Sequence, residues 1–138
     1  MPQASITINT PGERFILQTD ASNIGLGAVL SQLDSNGEER PVMYLSKKFS
    51  KAQENYSTIE KECFAVVQAL KTFYVYLDGQ EFTLETDHQP LVWLMKMKNN
   101  NQRLMRWALY LSQFRMKIGH RSGKEHGNAD ILSRLCNT

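Results

Sequence analysis

An α/β domain built on one mixed sheet, with helices on its faces, is the fold class this sequence predicts. Three observations lead there. Three apolar, strand-like runs, Phe15–Thr19, Leu26–Leu33 and Pro41–Leu45, follow one another with tight connections, as in an antiparallel meander. Helical periodicity enters only afterwards, from Tyr56. Two more strand-like runs, Glu81–Thr86 and Arg115–His120, then alternate with helical stretches, which must cover the faces of the sheet they interrupt.

Each element has a local reason. Residues 1–14 are polar apart from Ile6 and Ile8, with a turn at Pro11-Gly12. They read as a leader or linker remnant ahead of one domain over 15–138. The first strand runs into Asp20, and Asp34-Ser-Asn-Gly37 is a strong turn between the second and third. Ser46 to Asn55 is polar and basic, hence a loop. From Tyr56 to Asp78, Ile59, Cys63, Val66, Leu70, Phe73 and Leu77 recur at three and four, giving one long helix with one apolar stripe. Ser57 and Glu60 fit a capping box at its start, and Asp78-Gly79 stops it. Phe82, Leu84 and Thr86 alternate with Glu81, Thr83 and Glu85 in a half-buried strand that reaches Asp87. Pro90 suits a short helix over 91–95, and Lys96 to Gln102 is a basic, asparagine-rich loop. Leu104, Ala108, Leu111 and Phe114 mark the next helix. Gly123 to Gly127 is a loop, and Asn128 caps a last helix through Leu135, with Asp130 in its first turn.

At 138 residues, with 41% apolar and 22% charged content, the chain suits one globular domain. It has no apolar run of membrane-spanning length and no signal-like opening. Cys63 and Cys136 lack metal-ligand spacing, which points to a reduced, intracellular setting. The net charge of +2 hides an asymmetry: residues 1–88 carry −5 and residues 89–138 carry +7. An acidic half beside a basic half suits a metal site next to a polyanion track, although solvated helix faces give the same totals.

Four acids carry the candidate chemistry: Asp20, Glu62, Asp87 and Asp130. Each has a plainer explanation. Asp20 and Asp87 could cap turns, Asp130 suits a helix start, and Glu62 could be a solvated helix residue. As a set they are harder to dismiss, because two end apolar strands and two lie early in helices that could cover those ends. Glu62 is preferred to Glu60, whose capping role already employs it. Clustered carboxylates repel one another unless a hard divalent cation such as Mg²⁺ offsets the charge. Two such ions about 3.5–4 Å apart can generate an attacking hydroxide and stabilise the leaving oxygen of a phosphodiester. His120 could shuttle a proton, or be a surface histidine.

Substrate contacts fall to Lys96, Lys98, Arg103, Arg106, Lys117, Arg121 and Lys124, interleaved with Trp93 and Trp107; the cations would meet phosphates. Ser22, Asn23 and Gln89 could reach ribose hydroxyls, by which RNA is told from DNA.

Taken in order, the motifs resemble the ribonuclease H domain of gypsy-type long-terminal-repeat retrotransposon reverse transcriptases. The matching stretches are Thr19-Asp-Ala-Ser22 with Gly25-Leu-Gly-Ala-Val-Leu-Ser-Gln32, Tyr44-Leu-Ser46, and Tyr56-Ser-Thr-Ile-Glu-Lys-Glu62. They continue as Thr86-Asp-His-Gln-Pro-Leu91, Gly123-Lys124 and Asn128-Ala-Asp-Ile-Leu-Ser-Arg134. The resemblance implies an RNase H-like fold with a five-stranded mixed sheet, and Mg²⁺- or Mn²⁺-dependent cleavage of the RNA strand of RNA–DNA hybrids. Its catalytic quartet falls on Asp20, Glu62, Asp87 and Asp130, and its mobile-loop histidine on His120. The basic helical protrusion of the wider group is reduced here to Lys96 to Gln102, so hybrid affinity would lean on a neighbouring domain. No polymerase motif of the Tyr-x-Asp-Asp kind is present. The chain thus resembles a detached or domesticated piece of a polyprotein, with a reverse-transcriptase polymerase or connection domain as expected partner and no membrane. The rivals to a nuclease are a non-catalytic nucleic-acid-binding module and a structural domain of a reverse transcriptase.

Overall fold

The computed structural model describes residues 14–86 and 102–120, the side chain of His120 excepted. Asp87, Gln89, Lys96, Lys98, Arg121, Lys124 and Asp130 lie outside the described residues, as do the expected short helix at 91–95 and the expected last helix.

Five strands form one sheet: β1 (Phe15–Ala21), β2 (Gly25–Leu33), β3 (Glu39–Lys48), β4 (Glu81–Thr86) and β5 (Arg115–His120), in the order β3-β2-β1-β4-β5. The meander of β1, β2 and β3 is antiparallel, while β4 pairs parallel to β1 and β5 parallel to β4. Parallel pairs need long crossovers, and helices provide them. Between β3 and β4 come α1 (Lys51–Glu54), α2 (Thr58–Thr72) and α3 (Tyr74–Leu77); α4 (Gln102–Leu111) precedes β5. The mixed sheet with flanking helices is the architecture the sequence predicts.

The main core lies between the sheet and α2. Phe15, Leu17, Ala28, Leu30, Phe82 and Leu84 meet Cys63, Val66, Leu70, Phe73 and Leu77 there. The other face of β1 is covered too, since Ile16 and Gln18 are buried. A strand buried on both faces reads as a continuous apolar run, which is why Phe15-Ile-Leu17 does not alternate.

Three expectations about elements need correction. The single helix over Tyr56 to Asp78 is two, α2 and α3, broken at Phe73 with φ −101° and ψ 21°. Thr72-Phe-Tyr-Val-Tyr76 is a run of β-branched and aromatic residues that lose χ1 freedom in a helix. The stripe nonetheless continues across the break, because Phe73 and Leu77 share the core. The loop expected over Ser46 to Asn55 holds the end of β3 and the short helix α1, whose Ser50 and Gln53 form a second capping box. With no buried residue in that helix, no apolar period announces it. Finally, β1 runs on to Ala21, so Asp20 lies within the strand, paired with Gly27. Backbone pairing there does not depend on the polarity of the side chain.

Candidate active site

Glu62 and the stretch that follows Asp20 meet at one cleft from different elements. Asp20 is half-buried near the C-terminal end of β1, opposite a glycine that carries no side chain on that sheet face. The turn that follows is closed by Ser22. Its backbone N–H donates to the Gly25 carbonyl at 2.8 Å, and its hydroxyl accepts from the Gly25 N–H at 3.1 Å and the Ile24 N–H at 3.4 Å. Phe49 ties the turn to β3 by donating its N–H to the Ile24 carbonyl at 2.8 Å. Beneath the turn, Leu26, Phe49, Phe64 and Ala65 form a second small core, with Ala21 packed against it.

The first turn of α2 separates two glutamates. Glu60 is committed to the fold. Its Oε1 accepts the Ser57 N–H at 2.9 Å, completing the capping box, and its Oε2 takes Arg103 Nη1 at 2.9 Å. The Arg103 guanidinium also lies 4.4 Å from the centre of the Tyr56 ring. Glu62, two residues on, is only 7% exposed, which removes the reading of it as a solvated helix residue. It lines a pocket of about 80 Å³ with Ala21, Ser22, Asn23, Thr58 and Lys61. The residues directly after Asp20 and the helix carrying Glu62 therefore share one cleft. A carboxylate so buried is costly unless something offsets its charge. Its neighbour Cys63 shows the local field: burial foremost, then the charges of Glu62 and Glu60, push the thiol up to about 12, so no thiolate forms there.

The remaining sequence candidates divide. Asn23 is exposed at the rim of the pocket, while the Ser22 hydroxyl is engaged in its turn. Arg103 is tied to Glu60 and Tyr56. Arg106 is exposed on α4 beside Met105 and Leu109, and Lys117 is exposed on β5. Trp107 packs on Phe64 and Tyr56 at ring separations of 5.7 and 6.0 Å, as part of the second core. His120 ends β5, its backbone paired with Thr86, the residue before Asp87. Among the described residues no three His, Cys, Asp or Glu side chains gather closely enough to hold a metal ion. Two of the four acids lie outside them. Sequence reasoning does not single out Lys61 or Thr58. Lys61 adjoins Glu62 in the chain, but its acceptor, the Asn23 carbonyl at 2.9 Å, is 38 positions away.

Known proteins share both the sequence and the fold. The family described as the RNase H-like domain found in reverse transcriptase matches residues 10–114. The retrovirus-related Pol polyprotein from transposon 297 of Drosophila melanogaster is 47% identical over 123 residues, 89% of this chain. The chain spans only 11% of that polyprotein's length. Among solved structures, the foamy viral protease-reverse transcriptase in complex with RNA/DNA hybrid superposes with a TM-score of 0.63 at 15% identity, covering 81% of this chain and 16% of that one. RNase H1 from the archaeon Halobacterium salinarum gives 0.61 at 20% identity, covering 90% of this chain and 97% of its own. At such identities the two structures speak for the fold, and the family match and the polyprotein for descent: this chain belongs to the RNase H-like domains found in reverse transcriptases, and its relatives are the Pol polyproteins of retrotransposons.

Proposed function

We propose that the chain is a metal-dependent endoribonuclease that cuts the RNA strand of RNA–DNA hybrids. The observation that carries this reading is the cleft in which Glu62, buried on α2, lines one pocket with Ala21 and Ser22, the residues that follow Asp20. Family membership and the hybrid bound by the foamy viral relative support the choice of substrate.

The donor set suits hard divalent cations. Asp20 and Glu62 offer carboxylate oxygens, the ligands Mg²⁺ and Mn²⁺ prefer. In this reading Asp20, Glu62, Asp87 and Asp130 would together hold the divalent ions. Divalent ions bound there supply Lewis-acid chemistry at the scissile phosphodiester. Asp87 is included because it follows Thr86, the last residue of β4, in the chain. The chain's own residues then have distinct tasks. Asn23, at the rim, meets the ribose side of the RNA strand, with Ser22 shaping the turn that presents it and Gln89 as a second contact. Lys96, Lys98, Arg106, Arg121 and Lys124 take backbone phosphates, and His120 moves a proton as product leaves. The partner in the parent polyprotein is a polymerase or connection domain, in a retroelement particle in the cytoplasm or in the nucleus.

The test is cleavage of an end-labelled RNA–DNA hybrid in Mg²⁺ by the parent chain and by Asp20→Asn. The expected result is RNA-strand cleavage by the parent and a loss of more than about 100-fold in the variant, a ligand mattering at least as much as its supporting groups. Hybrid binding without cleavage by the parent would turn the reading to a non-catalytic binding module.

A further inference from the structure

We infer that Lys61 is a positioning residue, which braces the turn after Asp20 against the helix carrying Glu62 and so presets the two carboxylates for a divalent cation; this rests on the nuclease reading above. Lys61 immediately precedes Glu62, and Asn23 follows Asp20 by three residues. The Lys61 ammonium donates to the Asn23 carbonyl at 2.9 Å, so one hydrogen bond spans the cleft between the two elements. The same ammonium lies 5.7 Å from the centre of the Phe49 ring, and Phe49 is itself bonded to the turn through Ile24. The lysine stem therefore runs along the wall of the pocket, held at its tip by a neutral carbonyl and an aromatic face.

The choice of acceptor is informative. A lysine serving as a charge partner for the acids would make metal binding harder, because a fixed cation near the site repels an incoming one. A lysine serving as a brace makes metal binding easier, because the ligands are already in place. The two roles predict opposite signs.

The experiment is a thermal-shift titration of the 138-residue chain with Mg²⁺, comparing parent, Lys61→Met and Lys61→Arg, with hybrid binding measured separately in chelator. In the bracing role, Lys61→Met keeps a metal-free Tm within about 2 °C of the parent, since one exposed bond is lost. It raises the Mg²⁺ concentration for half the shift on the order of tenfold. Lys61→Arg, which keeps a donor, recovers most of that loss. Hybrid binding in chelator stays at the parent level. An unchanged or lower Mg²⁺ midpoint in Lys61→Met overturns the brace while leaving the nuclease reading intact. So does weaker hybrid binding in chelator with an unmoved midpoint, which would mark a direct phosphate contact. A parent chain whose Tm ignores Mg²⁺ overturns the metal reading and the brace together.

Discussion

The two turns at opposite ends of β2 are closed by different chemistry, a carboxylate at one and a hydroxyl at the other. After β2, Asp34 closes its own turn. Its Oδ1 accepts the N–H groups of Asn36 at 2.9 Å and Glu38 at 3.0 Å, and its Oδ2 takes Arg40 Nε at 2.7 Å. Gly37 supplies the φ of +81° that the turn requires. Before β2, the side-chain oxygen that closes the turn is the Ser22 hydroxyl, and Asp20 stands two residues upstream within the strand. One carboxylate is thus consumed by local backbone. In the other turn a hydroxyl takes that part.

The apolar support under the first turn is where this contrast breaks most heavily. Phe64 contacts the rings of Phe49, Tyr56 and Trp107 within 6.1 Å and anchors the second core beneath Ala21. Phe64→Ala is expected to cost about 3–5 kcal/mol, read as a shift in urea midpoint with little change in slope. A cost below about 1 kcal/mol would show that the site end does not depend on this core.

Ser22→Ala sharpens the same comparison at smaller scale. It removes the acceptor for two turn N–H groups and a donor to the Gly25 carbonyl. Those groups are partly accessible to water, so the expected loss is about 1 kcal/mol by urea unfolding. Hybrid cleavage should fall further than that loss of stability explains, because the turn presents Asn23. An unaltered cleavage rate would argue that the turn keeps its shape without the hydroxyl.

Much of this was legible before any coordinates. The capping box at Ser57 and Glu60 follows from a four-residue pattern, and the structure holds it. The strand Arg115–His120 follows from alternation alone. What escapes is whatever depends on distant partners. Arg103, read from sequence as a phosphate contact, is bonded to Glu60, 43 positions away. Lys61 looks like a solvated helix cation until its acceptor on the β1–β2 turn is known. The break at Phe73 escapes because the same stripe of apolar residues packs on both sides of it. Local patterns encode periods and caps; the pairing of one element's side chain with another's backbone is settled only by the packed fold.

The smallest effect concerns protons, and it tests the other turn. Two backbone N–H groups and the Arg40 guanidinium hold Asp34 below its ordinary value of 3.8, the Glu38 N–H being the largest cause and the Arg40 hydrogen bond the next. Arg40 shifts reciprocally upward, with the Asp34 hydrogen bond as first cause. A carboxyl whose folded value is depressed binds its proton less tightly in the folded state than in the unfolded one. Its contribution is therefore present above 3.8 and is lost as pH falls through the lower folded value. Because the turn is solvent-exposed, the contribution is modest and screened by salt. Unfolding free energies measured from about pH 5 down to about pH 3 should decline more steeply for the parent than for Asp34→Asn, whose amide cannot titrate. At neutral pH the two should cleave hybrid at the same rate. Equal slopes would mean that the Asp34 turn is held by Gly37 and the backbone alone, and that its acid could be exchanged without consequence.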